Sequence, residues 1–286
     1  MLKYEFIEQE RANFPVRRLC EVLQVAPSGY YAWLKRKPSP RARANAELSQ
    51  HIRRFHKRSR ETYGSPRIYA DLREAGLTCS RKRVARLMGQ MGLQGRGRTK
   101  RRPCTTQADP TQAVAPNWLN QDFTASRPNE KWVADITYVD TAEGWLYLAV
   151  VLDIYSRKVV GWSMHASLHA ELGLDALHMA LGQRQPTDPL LHHSDRGSQY
   201  TSTDHLALLA QYGITVSMSR TANCYDNALM ESFFATLKTE CLTERLDSHR
   251  QARTVIFEFI EVWYNRQRRH SSLGYLSPHQ FEALYA

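Results

Sequence analysis

From Lys131 onward the hydrophobic pattern is that of strands. "KWVADITYVD", "WLYLAVVLDIY" and "KVVGWSMH" are β-rich runs separated by "TAEG" and "SR", which predicts a three-strand meander. "AELGLDALHMAL" changes to helical spacing, with Leu172, Ala176, Met179 and Ala180 among its predicted buried positions. "PLLHHSD" predicts a short strand ending at Asp195, and "TDHLALLAQYG" a helix closed by Gly213. "ITVSMS" is another strand, and a long helix follows from about Ala228 to Leu242. Three strands, a helix, a strand, a helix, a strand and then helices predict an α/β layered domain. Further on, Val255, Ile256, Phe259, Ile260 and Trp263 predict a helix facing the core. "SPHQFEALY" reads as a short helix with a Ser cap and Pro at its first position.

The first third of the chain is patterned differently. In "VRRLCEVLQVAPSGYYAWLKR", Val16, Leu19, Cys20 and Leu23 repeat at helical spacing. The turn "APSG" then precedes a second helix carrying Tyr31 and Leu34. In "SPRIYADLREAGLTCSRKRVARLMGQMGL" a first helix ends at Gly76. Ser80 caps a second helix whose apolar face is Val84, Leu87, Met88 and Met91. That helix opens with Arg81, Lys82 and Arg83, where a recognition helix meets DNA. Residues 95–117 are rich in Gly, Thr, Pro and Arg without apolar periodicity, and read as a basic linker. The predicted organisation is therefore a basic helical helix-turn-helix region over 1–94, a linker over 95–117, and the α/β domain over 118–286.

Charge sharpens this division. Residues 1–108 hold 25 Lys and Arg against 8 Asp and Glu, and residues 109–286 hold 14 against 20, within a formal net charge of +11. One part is built to meet a polyanion and the other to do different work. No apolar stretch approaches the ~20 residues of a membrane span. The start, MLKYEFIEQE, is too acidic for a secretory signal, so a cytoplasmic protein is expected. The cysteines Cys20, Cys79, Cys104, Cys224 and Cys241 form no C-x-x-C pair, which argues against a disulfide framework. A zinc site from His51, His56, Cys79 and Cys104 is disfavoured because the two cysteines are too far apart for a finger knuckle.

The chemistry is carried by carboxylates. Asp135 lies inside the first strand between Ala134 and Ile136, an expensive place for a charge unless it is paired or holds a metal. Asp195 ends a later strand, where open α/β sheets place ligand sites. Glu231 lies on the margin of the long helix, on one stripe with Asn227 and Lys238. Three such acids can converge on Mg²⁺, which takes oxygen ligands. Two ions about 4 Å apart activate an attacking hydroxyl and stabilise a leaving oxygen of a phosphodiester. Lys238 would serve a phosphate, and Arg266, Arg268 and Arg269 in "YNRQRRHSSLGY" are further candidates for phosphate contact. His192 and His193 are possible ligands, Asp153 is the rival acid, and Ser194 lacks the partners of a serine hydrolase.

Asp135, Asp195 and Glu231, with 35 residues between the last two, resemble the D, D-35-E pattern of integrases and transposases. "WVADITYV", "HSDRGSQYTS", "MSRTANCYDNALMESFFATLKTE" and "YNRQRRHSSLGYLSP" resemble the OrfB transposase of the IS-three group of bacterial insertion sequences. "YGSPRIYADLREAG" resembles the helix-turn-helix segment ahead of the core in that group. The resemblance implies an RNase H-like integrase catalytic core performing DNA cleavage and strand transfer with two Mg²⁺ or Mn²⁺ ions. It also implies action on insertion-sequence ends and target DNA, at the bacterial nucleoid, as a homo-oligomer with an OrfA partner or frameshift fusion. The competing reading is a non-catalytic DNA-binding regulator derived from such an enzyme.

Overall fold

The computed structural model describes residues 2–97, 115–220 and 223–286. Most of the expected linker, with Cys104, lies outside the described residues. The chain forms two compact units, Met1–Arg54 and Phe55–Ala286.

The first unit contains α1 (Leu2–Glu10), α2 (Val16–Val22), α3 (Pro27–Leu34) and most of α4 (Pro40–Arg58). Helices α2 and α3 are the first expected hairpin. Ile7, Leu19, Cys20 and Tyr30 form its buried centre, packed by Tyr4, Val16, Leu23, Val25 and Trp33. The Tyr30 hydroxyl donates to Glu8 Oε2 at 2.6 Å, which ties α3 to α1. Helices α1 and α4 have no counterpart in the sequence prediction.

The second unit holds α5 (Ser65–Glu74) and α6 (Arg81–Gln90) together with the sheet. The two helices α5 and α6 of the expected helix-turn-helix region thus lie in the same compact unit as the sheet. Ser80 caps α6 by accepting from the Arg83 N–H at 3.2 Å, and Val84, Leu87 and Met88 are buried as expected. Gly76 takes φ +76° just past α5, a left-handed value that favours glycine.

The sheet has β1 (Lys131–Thr141), β2 (Gly144–Asp153), β3 (Val159–His165), β4 (Leu191–Ser194) and β5 (Thr215–Met218), in the order β3-β2-β1-β4-β5. The meander β1-β2-β3 is antiparallel, whereas β4 and β5 add in parallel. Parallel addition needs crossovers, supplied by α7 (Ala170–Arg184) and α8 (Thr203–Gln211). Trp132 and Ala134 of β1 pack with Leu172, Ala176, Leu177 and Leu209 on that side. Gly161 lets α7 lie close on β3, since a Cβ there would stand 2.1 Å from the Ala176 carbonyl oxygen.

Strand residues alternate faces, so Val133, Asp135 and Thr137 turn to the opposite side of the sheet. There α9 (Ala228–Glu240) and α10 (His249–Phe257) pack on β1. A π-helical segment, Glu258–Tyr264, continues α10 and buries Phe259, Ile260, Trp263 and Tyr264. The chain closes with α11 (Pro278–Tyr285), where Ser277 and Gln280 form a capping box. Among the described residues no helix is long and apolar enough to cross a membrane.

Candidate active site

Strand register brings the first two acids together. Val133 of β1 pairs with His193 of β4 in parallel. Two residues further along come Asp135, still within β1, and Asp195, just past the end of β4. The two carboxylates are close enough for the Asp195 charge to act on Asp135. Strand β4 ends at Ser194, and Asp195 begins the turn beyond it. The Gly197 N–H donates to Asp195 Oδ1 at 3.0 Å, and Arg196 Nε donates to the Ser219 carbonyl at 2.7 Å, which fixes the turn to the end of β5.

Asp135 bears the electrostatic cost of this arrangement. Burial, and then the negative charges of Asp195 and Glu231, push its carboxyl well above the usual range. The Ile136 N–H, donating to Oδ1 at 2.8 Å, and the Asn227 side chain oppose that shift. Helix α9 supplies Asn227 as its N-cap and Glu231 in its first turn. Met230, Phe233, Phe234 and Leu237 are buried, and they seat the helix and leave Glu231 exposed at the margin. Burial lowers the Lys238 ammonium from its usual value, and the Asp135 charge opposes that shift. Asn227 and Glu231 thus act on Asp135, and Asp135 acts on Lys238, so the stripe read from the sequence meets this carboxyl.

The donor set suits a hard divalent cation. It is all oxygen, it concentrates negative charge on a desolvated carboxyl, and Asn227 Oδ1 is buried without a hydrogen-bond partner. Among the described residues no three His, Cys, Asp or Glu side chains are gathered closely enough to hold an ion by themselves. Asp135 and Asp195 are the register-matched pair, and Glu231 stands outside it.

The other candidates have different partners. His193 is buried between Ser217 Oγ (2.8 Å) and Ser219 Oγ (3.1 Å), and burial lowers it to about 4. His192 packs with Tyr200 and His205 on the α7 side. Ser194 Oγ donates to the Asp195 carbonyl at 3.0 Å rather than to a base. Asp153 is fully buried and held by Arg184 at 3.1 Å and by the N–H groups of Asn129 and Tyr155, a structural role. His56 Nε2 faces the Gln94 carbonyl at 3.0 Å.

Of the expected DNA-contacting residues, Arg81 and Lys82 are exposed at the start of α6, Arg83 is half-buried, and Arg266 is exposed. Arg268 and Arg269 correct the expectation. Both are buried on internal carboxylates, Arg268 on Glu240 and Arg269 on Asp71 and Glu74, so neither guanidinium is presented to a phosphate.

Two residues near the acids escaped the sequence reading. Tyr200 is buried where the charges of Asp135 and Asp195, added to desolvation, push its phenol well up. Asp226, just ahead of α9, accepts from Arg220, Asn117 and Gln121. It thereby fixes the entry to the helix that carries Glu231. The signal was present in "CYDN", a carboxylate immediately before a helix start.

Family comparison gives this geometry its class. The Integrase core domain family matches over residues 125–224 and again over 212–278, and the HTH-like domain family over 42–102. The chain is 46% identical over 268 residues to an insertion element IS600 uncharacterized 31 kDa protein of Shigella sonnei, covering 93% of this chain and 98% of that one. It is 44% identical over 286 residues to the transposase InsF for insertion sequence IS3A of Escherichia coli strain K12, covering 98% of each. Among solved structures, the simian T-cell lymphotropic virus intasome in complex with PP2A regulatory subunit B56 gamma is similar. There the TM-score is 0.47 and the identity 13%, over 81% of this chain and 74% of that one. An integrase core joined to a helix-turn-helix-like domain defines a polynucleotidyl-transferring enzyme of the transposase class. Within that class, the chain belongs to the IS3 family of insertion-sequence transposases.

Proposed function

We propose that Asp135, Asp195 and Glu231 are the catalytic acids of this transposase. Together they hold two divalent ions, Mg²⁺ or Mn²⁺, at the end of β4. The observation that supports this reading is that the charges of both Asp195 and Glu231 act on the buried Asp135 carboxyl at the end of the β1–β4 ladder. Ions bound there supply Lewis-acid activation of the attacking hydroxyl and stabilise the leaving oxygen. The two strand acids provide a rigid anchor, because their backbone is held by the sheet and by the Gly197 turn. Glu231 is the adaptable third ligand, exposed on the first turn of α9. Without a cation Asp135 holds a proton more readily than an ordinary aspartate, and gives it up as positive charge arrives.

The substrate in this reading is DNA, the ends of an insertion sequence and then a target. A terminal 3′-hydroxyl attacks a phosphodiester. A new P–O bond forms to that oxygen, the bond to the departing 3′ oxygen breaks, and the hydroxyl proton passes to solvent. Arg81, Lys82, Arg83 and Arg266 contact the backbone, with Lys238 close to the reacting phosphate. The family resemblance extends the reading to a cytoplasmic, nucleoid-bound homo-oligomer that shares end recognition with an OrfA partner or fusion. The test is metal-dependent strand transfer by Asp135→Asn, Asp195→Asn and Glu231→Gln. Each should lose activity at least a thousandfold while still binding DNA, and substantial activity in any one removes that residue from the set.

A further inference from the structure

Arg268 and Arg269 are consecutive, equally buried, and reach in different directions. Arg268 forms a two-pronged contact with Glu240, Nε to Oε2 at 2.8 Å and Nη2 to Oε1 at 2.7 Å. Glu240 is the last residue of α9, nine positions beyond Glu231. Arg269 reaches α5. Its Nε donates to Asp71 Oδ1 at 2.5 Å and its Nη2 donates to Glu74. Its backbone joins as well, the N–H donating to the Tyr63 hydroxyl at 2.7 Å and the carbonyl accepting from Arg67 Nε at 3.0 Å. Helix α5 in turn packs on α6, whose first residues are Arg81 and Lys82.

Stability alone does not call for this arrangement. Buried ion pairs pay a large desolvation cost, and apolar side chains of similar volume often serve as well. Planar, forked guanidinium–carboxylate contacts add geometric specificity. Here two adjacent forks grip two elements, the helix that carries Glu231 and the helix pair that offers basic residues to DNA. We infer that the Arg268–Arg269 dipeptide is a positioning bracket that couples the placement of α5 and α6 to that of α9. It sets where bound DNA stands relative to the acids. Neither arginine touches substrate, and both act through the helices they hold. The inference rests on the catalytic reading above for its activity consequence, but its mechanical core does not.

Two variants of the full chain test it, Arg269→Lys and Glu74→Gln. The second changes a partly exposed partner on α5 and leaves the Arg269–Asp71 contact in place, so folding should survive where Arg269→Lys fails. Amide hydrogen exchange reads the mechanical part. Protection over Leu237–Cys241 should fall at least tenfold in either variant, together with protection in α5. Single-turnover strand transfer at saturating end DNA reads the functional part. The rate should fall at least tenfold, with cleavage spreading to neighbouring phosphodiesters, while the dissociation constant for end DNA stays within about threefold. Unchanged α9 protection in folded Glu74→Gln overturns the bracket. So does a loss of affinity proportional to the loss of rate. An active Asp135→Asn control would instead remove the catalytic reading and leave the exchange result standing.

Discussion

Lys238 Nζ lies 5.0 Å from the centroid of the Tyr138 ring, over a strand whose Asp135 it also senses. The ammonium is therefore half-buried against an aromatic face and is not a freely solvated lysine. It sits seven residues, about 10 Å along the helix, from Glu231. That reach suits a phosphate or base just outside the acids. Lys238→Ala should lower strand transfer about tenfold or blunt discrimination between true and scrambled ends, with the fold retained. Lys238→Arg should be milder, because charge and the cation–π contact persist while the compact ammonium is lost. Wild-type rates in the alanine variant, measured on both substrates, would leave Lys238 as a packing residue.

DNA affinity should depend on Arg81 and Lys82 in a salt-dependent way. Each phosphate contact contributes about 0.9 to the slope of log affinity against log salt. The double alanine variant should therefore flatten that slope by about 2, read by fluorescence anisotropy across a salt series. An unchanged slope would move the contact elsewhere. Changing Arg268 or Arg269 should instead reduce folding, because each leaves a buried carboxylate unpaired. A chain beginning near Asn117 should also bind weakly, but it removes Asp71 and Glu74 from Arg269 and so mixes the two effects.

Stability should fall on mild acidification through the buried imidazoles. Burial lowers His205 to about 4, and its two ring nitrogens have no hydrogen-bond partner. An unfolded histidine titrates near 6.5. Between these values the unfolded chain binds a proton that the folded chain refuses. Stability is therefore full above about pH 6.5 and is lost progressively toward pH 4, by up to about 3 kcal/mol from this residue. Burial drives His192 in the same direction. Denaturant unfolding between pH 7 and 4.5 should show the slope, and His205→Leu should flatten it. An equal slope in that variant would assign the acid sensitivity to other groups.

The legible parts of this protein are those that local pattern controls. The strands announce themselves through apolar runs bounded by turn residues, and Asp135 stands out because its neighbours are apolar. The stripe of Asn227, Glu231 and Lys238 follows from helical spacing alone. Helix α4 escaped because its buried face shows only Leu48, Ile52 and Phe55 among many polar residues. Arg268 and Arg269 looked like surface cations because their carboxylates are remote, Asp71 lying 198 residues from Arg269 and Glu240 28 residues from Arg268. For the same reason the sequence gives no sign that α5 pairs with residues near the far end of the chain.

Strand β4 pairs with β1 only over Lys131–Val133, so Asp135 and Asp195 stand where the ladder between the two strands stops. A site whose second acid lies past the end of a ladder is not closed off by a strand on that side. It can receive a long, stiff polymer laid across it, which an enclosing cleft would turn away. The choice of which phosphodiester to break must then be made at a distance, by whatever grips the duplex on either side. For such an enzyme, fidelity is a matter of alignment between separate grips and depends little on the shape of the reaction centre.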